Sequence, residues 1–162
     1  MYTFPTRVRI QDLVEEISAI PLVRIPDGSG SSHFDGPERW IRGLSNTRVH
    51  LGDTYPWLTQ AVCQLRDHVG GTVVQIMVNR LEPGAELSAH RDGLPDNARY
   101  HLPIVTHDLA FWWDELEGRR HMMRGWWYGP VPYCGVLHMA GNPSPIARTH
   151  LVVDLTRERD AA

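Results

Sequence analysis

The chain has 162 residues and a formal net charge of -3, with 16 Lys and Arg against 19 Asp and Glu. That length suits one domain with a real core, and the charge offers no basic excess for a phosphate backbone, so no nucleic-acid partner is expected. No stretch approaches the roughly 18 apolar residues of a membrane span, and MYTFPTRVRIQD lacks the apolar run of a signal peptide, so the expectation is a cytoplasmic protein without membrane contact.

In chain order, Ile10, Leu13, Val14, Ile17 and Ile20 recur at helical spacing, which predicts an amphipathic helix over 11–19 stopped by Pro21. Residues 25–36 (IPDGSGSSHFDG) have the composition of a loop, and 27–36 are a candidate lid. Leu58, Val62, Leu65 and Val69 mark a second helix over 55–69, ended by Gly70 and Gly71. From Thr72 the pattern turns β-branched (TVVQIMVNRL), with a turn expected at Pro83-Gly84. Further strands are predicted over 86–90, 99–105, 109–113, 121–127, 136–139 and 149–155, and a frayed tail over 157–162. Many short strands without alternating helices predict a mainly β fold: a double-stranded β-helix, that is, a cupin-like jelly roll, with two short N-terminal helices. The chain is read as a single domain over 1–162, helical to about residue 70 with the jelly-roll core at about 71–156.

Cys63 and Cys134 stand far apart, so neither a disulfide framework nor a CxxC site is indicated. The chain's nine His and six Trp lie mostly after residue 86, and chemistry is sought there. In His90-Arg91-Asp92 an extended backbone turns the imidazole and the carboxylate to one face, where both can grip one metal ion. A third ligand is required, and His138 in the strand-like GVLHMAGN is the candidate an antiparallel roll can return to that pair. Two His and one carboxylate leave open positions on the ion, the arrangement of non-haem Fe(II) sites. Standing alone, HxD is more often an exposed loop pair. Arg148, ten residues beyond His138, strengthens the reading, because a dicarboxylate co-substrate held on the ion needs a fixed cation for its far end.

From about Val73 to Leu155 the chain resembles the aspartyl/asparaginyl β-hydroxylase family of 2-oxoglutarate oxygenases. The resemblance rests on NRLEPGAELSAHRD, RYHLPIVT and HMMRGWWYGPVPYCGVLHMAGNPSPIARTHLVVDL, which are similar to that family's PG-x5-H-x-D, R-x-H, G-x-W and H-x3-N-x5-R-x-H blocks. It implies that His90, Asp92 and His138 bind Fe(II), that Arg148 holds the distal carboxylate of 2-oxoglutarate, and that Arg99, His101 and Asn79 contact the co-substrate. It also implies an enzyme that uses O2 to hydroxylate an unactivated C–H bond in a free amino acid, a short peptide or an Asp/Asn-type side chain. The carboxylate at Asp92 favours hydroxylation over halogenation, since chloride would need its coordination position. The segment Tyr128–Gly135, with two Pro and two Gly, departs from the family pattern and predicts a rigid loop near the ion. His107, His121 and His150 rank behind His138 as ligands, His150 being expected to line the face that carries Arg148. Of Trp112-Trp113 and Trp126-Trp127, one ring of each pair is expected in the core, and the other is a candidate for the pocket wall. The rival readings are a non-catalytic or zinc-binding β-roll protein and a cupin-type metal enzyme. Neither needs a cation at co-substrate distance from the metal.

Overall fold

The computed structural model describes residues 1–28, 41–92 and 97–156. The two helices are α1 (Ile10–Ser18) and α2 (Pro56–Val69), and the strands are β1 (Tyr2–Pro5), β2 (Val23–Arg24), β3 (Ile41–Arg48), β4 (Val73–His90), β5 (Asn97–Val105), β6 (Phe111–Asp114), β7 (Gly118–Arg120), β8 (Trp126–Val131), β9 (His138–Asn142) and β10 (Arg148–Thr156). All the strands join one antiparallel array in the order β1-β8-β5-β10-β4-β9-β6-β7, with β3 along β4 and β2 along β3.

Strand β4 curls that array into a roll. Its first half pairs with β10, its second half with β9, and β3 follows it through both halves. The sheet therefore bends at Glu82–Gly84 without breaking, and the expected turn at Pro83-Gly84 lies inside one 18-residue strand. Gly43 makes room for the bend: its φ is +72°, and a Cβ there would stand 2.6 Å from that of Ala85. The strand expected over 121–127 is displaced, since β7 ends at Arg120 and β8 begins at Trp126. Consequently the first half of the expected loop at Tyr128–Gly135 belongs to β8. Residues 1–70 hold β1, β2 and β3 besides the two helices. Of the candidate lid, residues 29–36 lie outside the described residues, as does the predicted tail at 157–162.

Strands β8, β5, β10 and the first half of β4 form the larger sheet of the roll, buried on both faces, and β9, β6, β7 and the second half of β4 form the smaller one. The outer face of the larger sheet (Ile76, Val78, Tyr100, Leu102, Ile104, Trp127, Leu151, Val153 and Leu155) packs on Leu13 and Ile17 of α1 and on Leu58, Ala61, Val62 and Leu65 of α2. The Glu16 carboxylate of α1 accepts the Trp57 and Leu58 N–H groups at 3.0 and 2.6 Å, capping α2 where a negative charge meets the helix dipole. The inner face of β10 alternates with this core, so Arg148, His150, Val152 and Asp154 point between the two sheets. There Leu44, Leu81, Tyr128 and Val131 of the larger sheet meet Ala85, Trp112 and Ala140 of the smaller one. Three polar side chains buried on one strand face need a reason, because uncompensated polar burial is costly.

Candidate metal and anion site

His90 ends β4, His138 begins β9, and the two are register partners. Asp92 follows His90 on a stretch pinned by a bridge to Cys134, with its N–H donating to Tyr133 O at 3.3 Å and its C=O accepting from Gly135 N at 2.9 Å. One donor atom from each of His90, Asp92 and His138 falls within 4.8 Å of the others. His90 Nε2 is 3.7 Å from Asp92 Oδ1, and His138 Nε2 is 3.8 Å from Asp92 Oδ2. Both carboxylate–imidazole distances lie within the about 4.2 Å that two metal–ligand bonds of about 2.1 Å can span, so Asp92 can share an ion with either imidazole.

The ring tautomers agree with that use. His90 Nδ1 lies 2.6 Å from Ser88 O and His138 Nδ1 lies 2.9 Å from Val136 O, so each Nδ1–H donates to a carbonyl and each Nε2 keeps its lone pair for a metal. The stretch is braced from outside. Arg91 donates to Gly135 O and to the Glu115 carboxylate, which in turn accepts the Leu137 N–H at 2.9 Å. Trp112 stacks on the His138 ring at 4.9 Å and 15°, and its indole N–H is anchored by buried Asp114 at 3.0 Å. The tryptophan at the site is thus the buried member of its pair; half-buried Trp113 is on the opposite face, while Trp127 is core and Trp126 exposed.

Deeper in the roll, Arg148 is buried with no carboxylate within ion-pairing reach among the described residues. Burial lowers its pKa to about 10. Its Nη2 lies 3.3 Å from His150 Nδ1, and His150 Nδ1 lies 3.3 Å from His101 Nδ1. Arginine only donates, so His150 Nδ1 must accept; His101 Nδ1 then carries the proton shared with it, and His150 carries its own on Nε2. Both Nε2 atoms and Asn79 Oδ1 are buried without a hydrogen-bond partner among the described residues. Asn79 sits opposite His150 in the β4–β10 register. Of the three orphaned atoms only His150 Nε2 is a donor, and a buried cation beside an orphaned donor is what an absent anionic ligand would leave.

Arg99 is differently placed. Its Nε and Nη2 clamp Asp154 at 2.8 and 2.9 Å, and its Nη1 is 3.4 Å from Asp92 Oδ2. Only part of its fork is open to a co-substrate. Asn142, in the H-x3-N block, is spent on the backbone: its amide donates to Leu81 O, Glu82 O and Ile146 O and fastens the β9–β10 loop.

Burial, then the His90 charge, lowers the His138 pKa to about 4. Burial, then the Arg148 charge, holds His101 and His150 well below the ordinary histidine value. The unfolded chain therefore takes up protons near pH 6.5 while the folded chain resists them, so stability is full above that pH and falls toward about 4. We expect the metal-free protein to lose stability as the pH falls from 7 to 5, through His101, His138 and His150. Urea unfolding at pH 7 and pH 5 measures it, and equal stabilities would contradict the neutral assignment.

A family model for aspartyl/asparaginyl beta-hydroxylase matches residues 46–158. Among solved structures, the chain is similar to a viral collagen prolyl hydroxylase from Paramecium Bursaria Chlorella virus-1, determined as a 2-oxoglutarate complex, at 12% identity and TM-score 0.66 over 94% of this chain and 93% of that one. It is also similar to a prolyl hydroxylase from Trichoplax adhaerens bound to a hypoxia inducible factor oxygen degradation domain peptide fragment, at 9% identity and TM-score 0.63 over 96% and 82%. A cupin-superfamily sugar phosphate isomerase from Silicibacter pomeroyi aligns at 22% identity and TM-score 0.44, over 71% of this chain and 60% of that protein's length. The two prolyl hydroxylases establish the jelly-roll fold. No curated protein is significantly similar to the chain in sequence.

Proposed function

The chain belongs to the aspartyl/asparaginyl β-hydroxylase family of 2-oxoglutarate oxygenases, and on that premise we propose that it is an Fe(II)- and 2-oxoglutarate-dependent dioxygenase that hydroxylates an amino acid or a peptide side chain, with Asp and Asn among the candidates. The observation that carries this reading is an uncompensated buried guanidinium, Arg148, on the inner face that also bears the His90, Asp92 and His138 cluster. A zinc-binding β-roll needs the cluster and has no use for the cation. When bound, Fe(II) with O2 and 2-oxoglutarate supplies the oxidising chemistry: one oxygen atom goes to the substrate C–H bond and one to succinate, with release of CO2.

The chain's own residues bind and orient. His90, Asp92 and His138 hold the ion from one side, leaving the other side for ligands. Arg148 would hold the distal carboxylate of the co-substrate with its planar fork, in buried surroundings where the charge pair counts. The Nε2–H of His150 would donate to that carboxylate, and His101 with Arg99 would border the path from there to the metal. Trp112 keeps the His138 ring from tilting. Outside the roll, α1 and α2 only support the sheet, which leaves substrate entry to the end of the roll where the ligands lie. The two prolyl hydroxylases of like fold, one holding a peptide fragment, support a substrate of amino-acid or peptide class.

The test is production of succinate. With Fe(II), a reductant, O2 and 2-oxoglutarate, slow release of succinate is expected even without prime substrate, quickened by the right amino acid or peptide. Absence of succinate across a panel of both would sink the reading.

A further inference from the structure

Asp154 is 1% exposed on β10, and none of the roles above employs it. Both its oxygens are occupied: Oδ1 accepts Arg99 Nε at 2.8 Å, while Oδ2 accepts Arg99 Nη2 at 2.9 Å and Gln75 Nε2 at 2.5 Å. Register explains the meeting, since Asp154 stands between Gln75 of β4 and Arg99 of β5, with all three side chains on the inner face. The Arg99 guanidinium also lies 4.0 Å over the Tyr133 ring. Clamped along one edge and covered on one face, it has little freedom, and its Nη1 points 3.4 Å from Asp92 Oδ2. The main chain of Asp92 is itself tied to Tyr133 and Gly135.

We propose that Asp154 is a positioning residue for the metal centre, holding Arg99 so that Nη1 stays against Asp92 Oδ2 and fixes the orientation of that carboxylate. The inference rests on the metal reading given above. The physical reason is twofold. A carboxylate with one oxygen hydrogen-bonded to a fixed cation presents the other in a defined direction, as outer partners do for metal ligands generally. The negative charge of Asp154 also offsets the guanidinium, which would otherwise stand against a dication at short range and compete with it for both oxygens of Asp92. Arginine suits this bridge because one planar fork serves two carboxylates at once, which an ammonium cannot do.

The experiment is Co(II) titration of the whole chain, following visible ligand-field bands, with thermal unfolding recorded alongside. Wild type, Asp154→Asn, Arg99→Gln, their double variant and Arg99→Lys are compared. Asp154→Asn is expected to bind Co(II) about 10- to 100-fold more weakly and to alter the bands at saturation, a change that lowered stability alone does not produce. Because Asp154 acts through Arg99, the double variant should bind no more weakly than the weaker single variant. Wild-type affinity in a folded Asp154→Asn, or losses that multiply in the double variant, would overturn the proposal. If Asp154→Asn does not fold, Arg99→Lys decides: it keeps a charge beside Asp154 but cannot bridge, so it should lose affinity likewise, and wild-type binding there overturns the idea. Failure of the wild type itself to bind Co(II) would instead remove the metal reading, and this inference with it.

Discussion

Arg148→Met is expected to weaken 2-oxoglutarate binding by about 3 to 5 kcal/mol, roughly a hundred- to a few thousand-fold, with little change in metal affinity. The guanidinium lies within a buried face with His150 as its polar neighbour, so removing it strands the distal carboxylate of the co-substrate without a countercharge. The same variant should make the metal-free protein more stable by about 1 to 4 kcal/mol, because a lone buried cation replaced by an apolar side chain of similar length relieves a desolvation cost. Opposite signs on binding and stability are the mark of a residue kept for its ligand. Lys should restore only part of the affinity, since a point charge does not reproduce the bidentate fork. Calorimetric titration of 2-oxoglutarate and thermal unfolding decide it. Unchanged co-substrate affinity would shift the anchor to Arg99, and a less stable Arg148→Met would show that the cation has an internal partner.

Loss of any one metal ligand should be at least as damaging. His90→Ala, Asp92→Ala or His138→Ala removes one of three donors, and each is expected to weaken Fe(II) binding by more than the about 10- to 100-fold typical of an outer partner, and to abolish turnover. The fold should survive, because the core packed on α1 and α2 contains none of the three ligands. His138→Ala should also leave the metal-free protein less sensitive to acid than wild type, having removed a histidine whose pKa is lowered to about 4. Iron binding measured anaerobically for each variant is the check. An unimpaired His138→Ala would move the third ligand elsewhere, although His150 is a poor substitute with its Nδ1 engaged by Arg148 and His101.

Much of this site is legible in the chain because strand geometry is so simple. Side chains two apart share a face, so His90 and Asp92, then Arg99 and His101, then Arg148 and His150, could each be paired without knowing the fold. The helices were equally plain, since Leu13 with Ile17 and Leu58 with Val62 and Leu65 follow the period of a buried stripe. What stayed hidden depended on partners across the sheet. Pro83-Gly84 reads as a turn, yet β4 runs through it because β3 pairs along both halves. The short strands β1, β2 and β3 carry no clean alternation, and β3 is specified by its neighbour more than by its own residues. Arg99 looks like an open cation in sequence; its clamp on Asp154 comes from a register between β5 and β10 that no local pattern encodes. The buried role of Trp112 likewise needed Asp114 and His138 in place. In RTHLVVDLT the ionisable residues Arg148, His150 and Asp154 all fall on even positions, which in a two-faced buried strand marks Asp154 as a site-facing carboxylate.

The most direct test of the central claim is an anaerobic titration of the protein with Fe(II) and 2-oxoglutarate, watching for a weak visible absorption band that needs both. The account predicts a band that appears only when the two are present together, is absent in His138→Ala, and requires far more 2-oxoglutarate in Arg148→Met. A protein that binds Fe(II) but shows no band at any 2-oxoglutarate concentration, or one whose band is indifferent to Arg148, would contradict it.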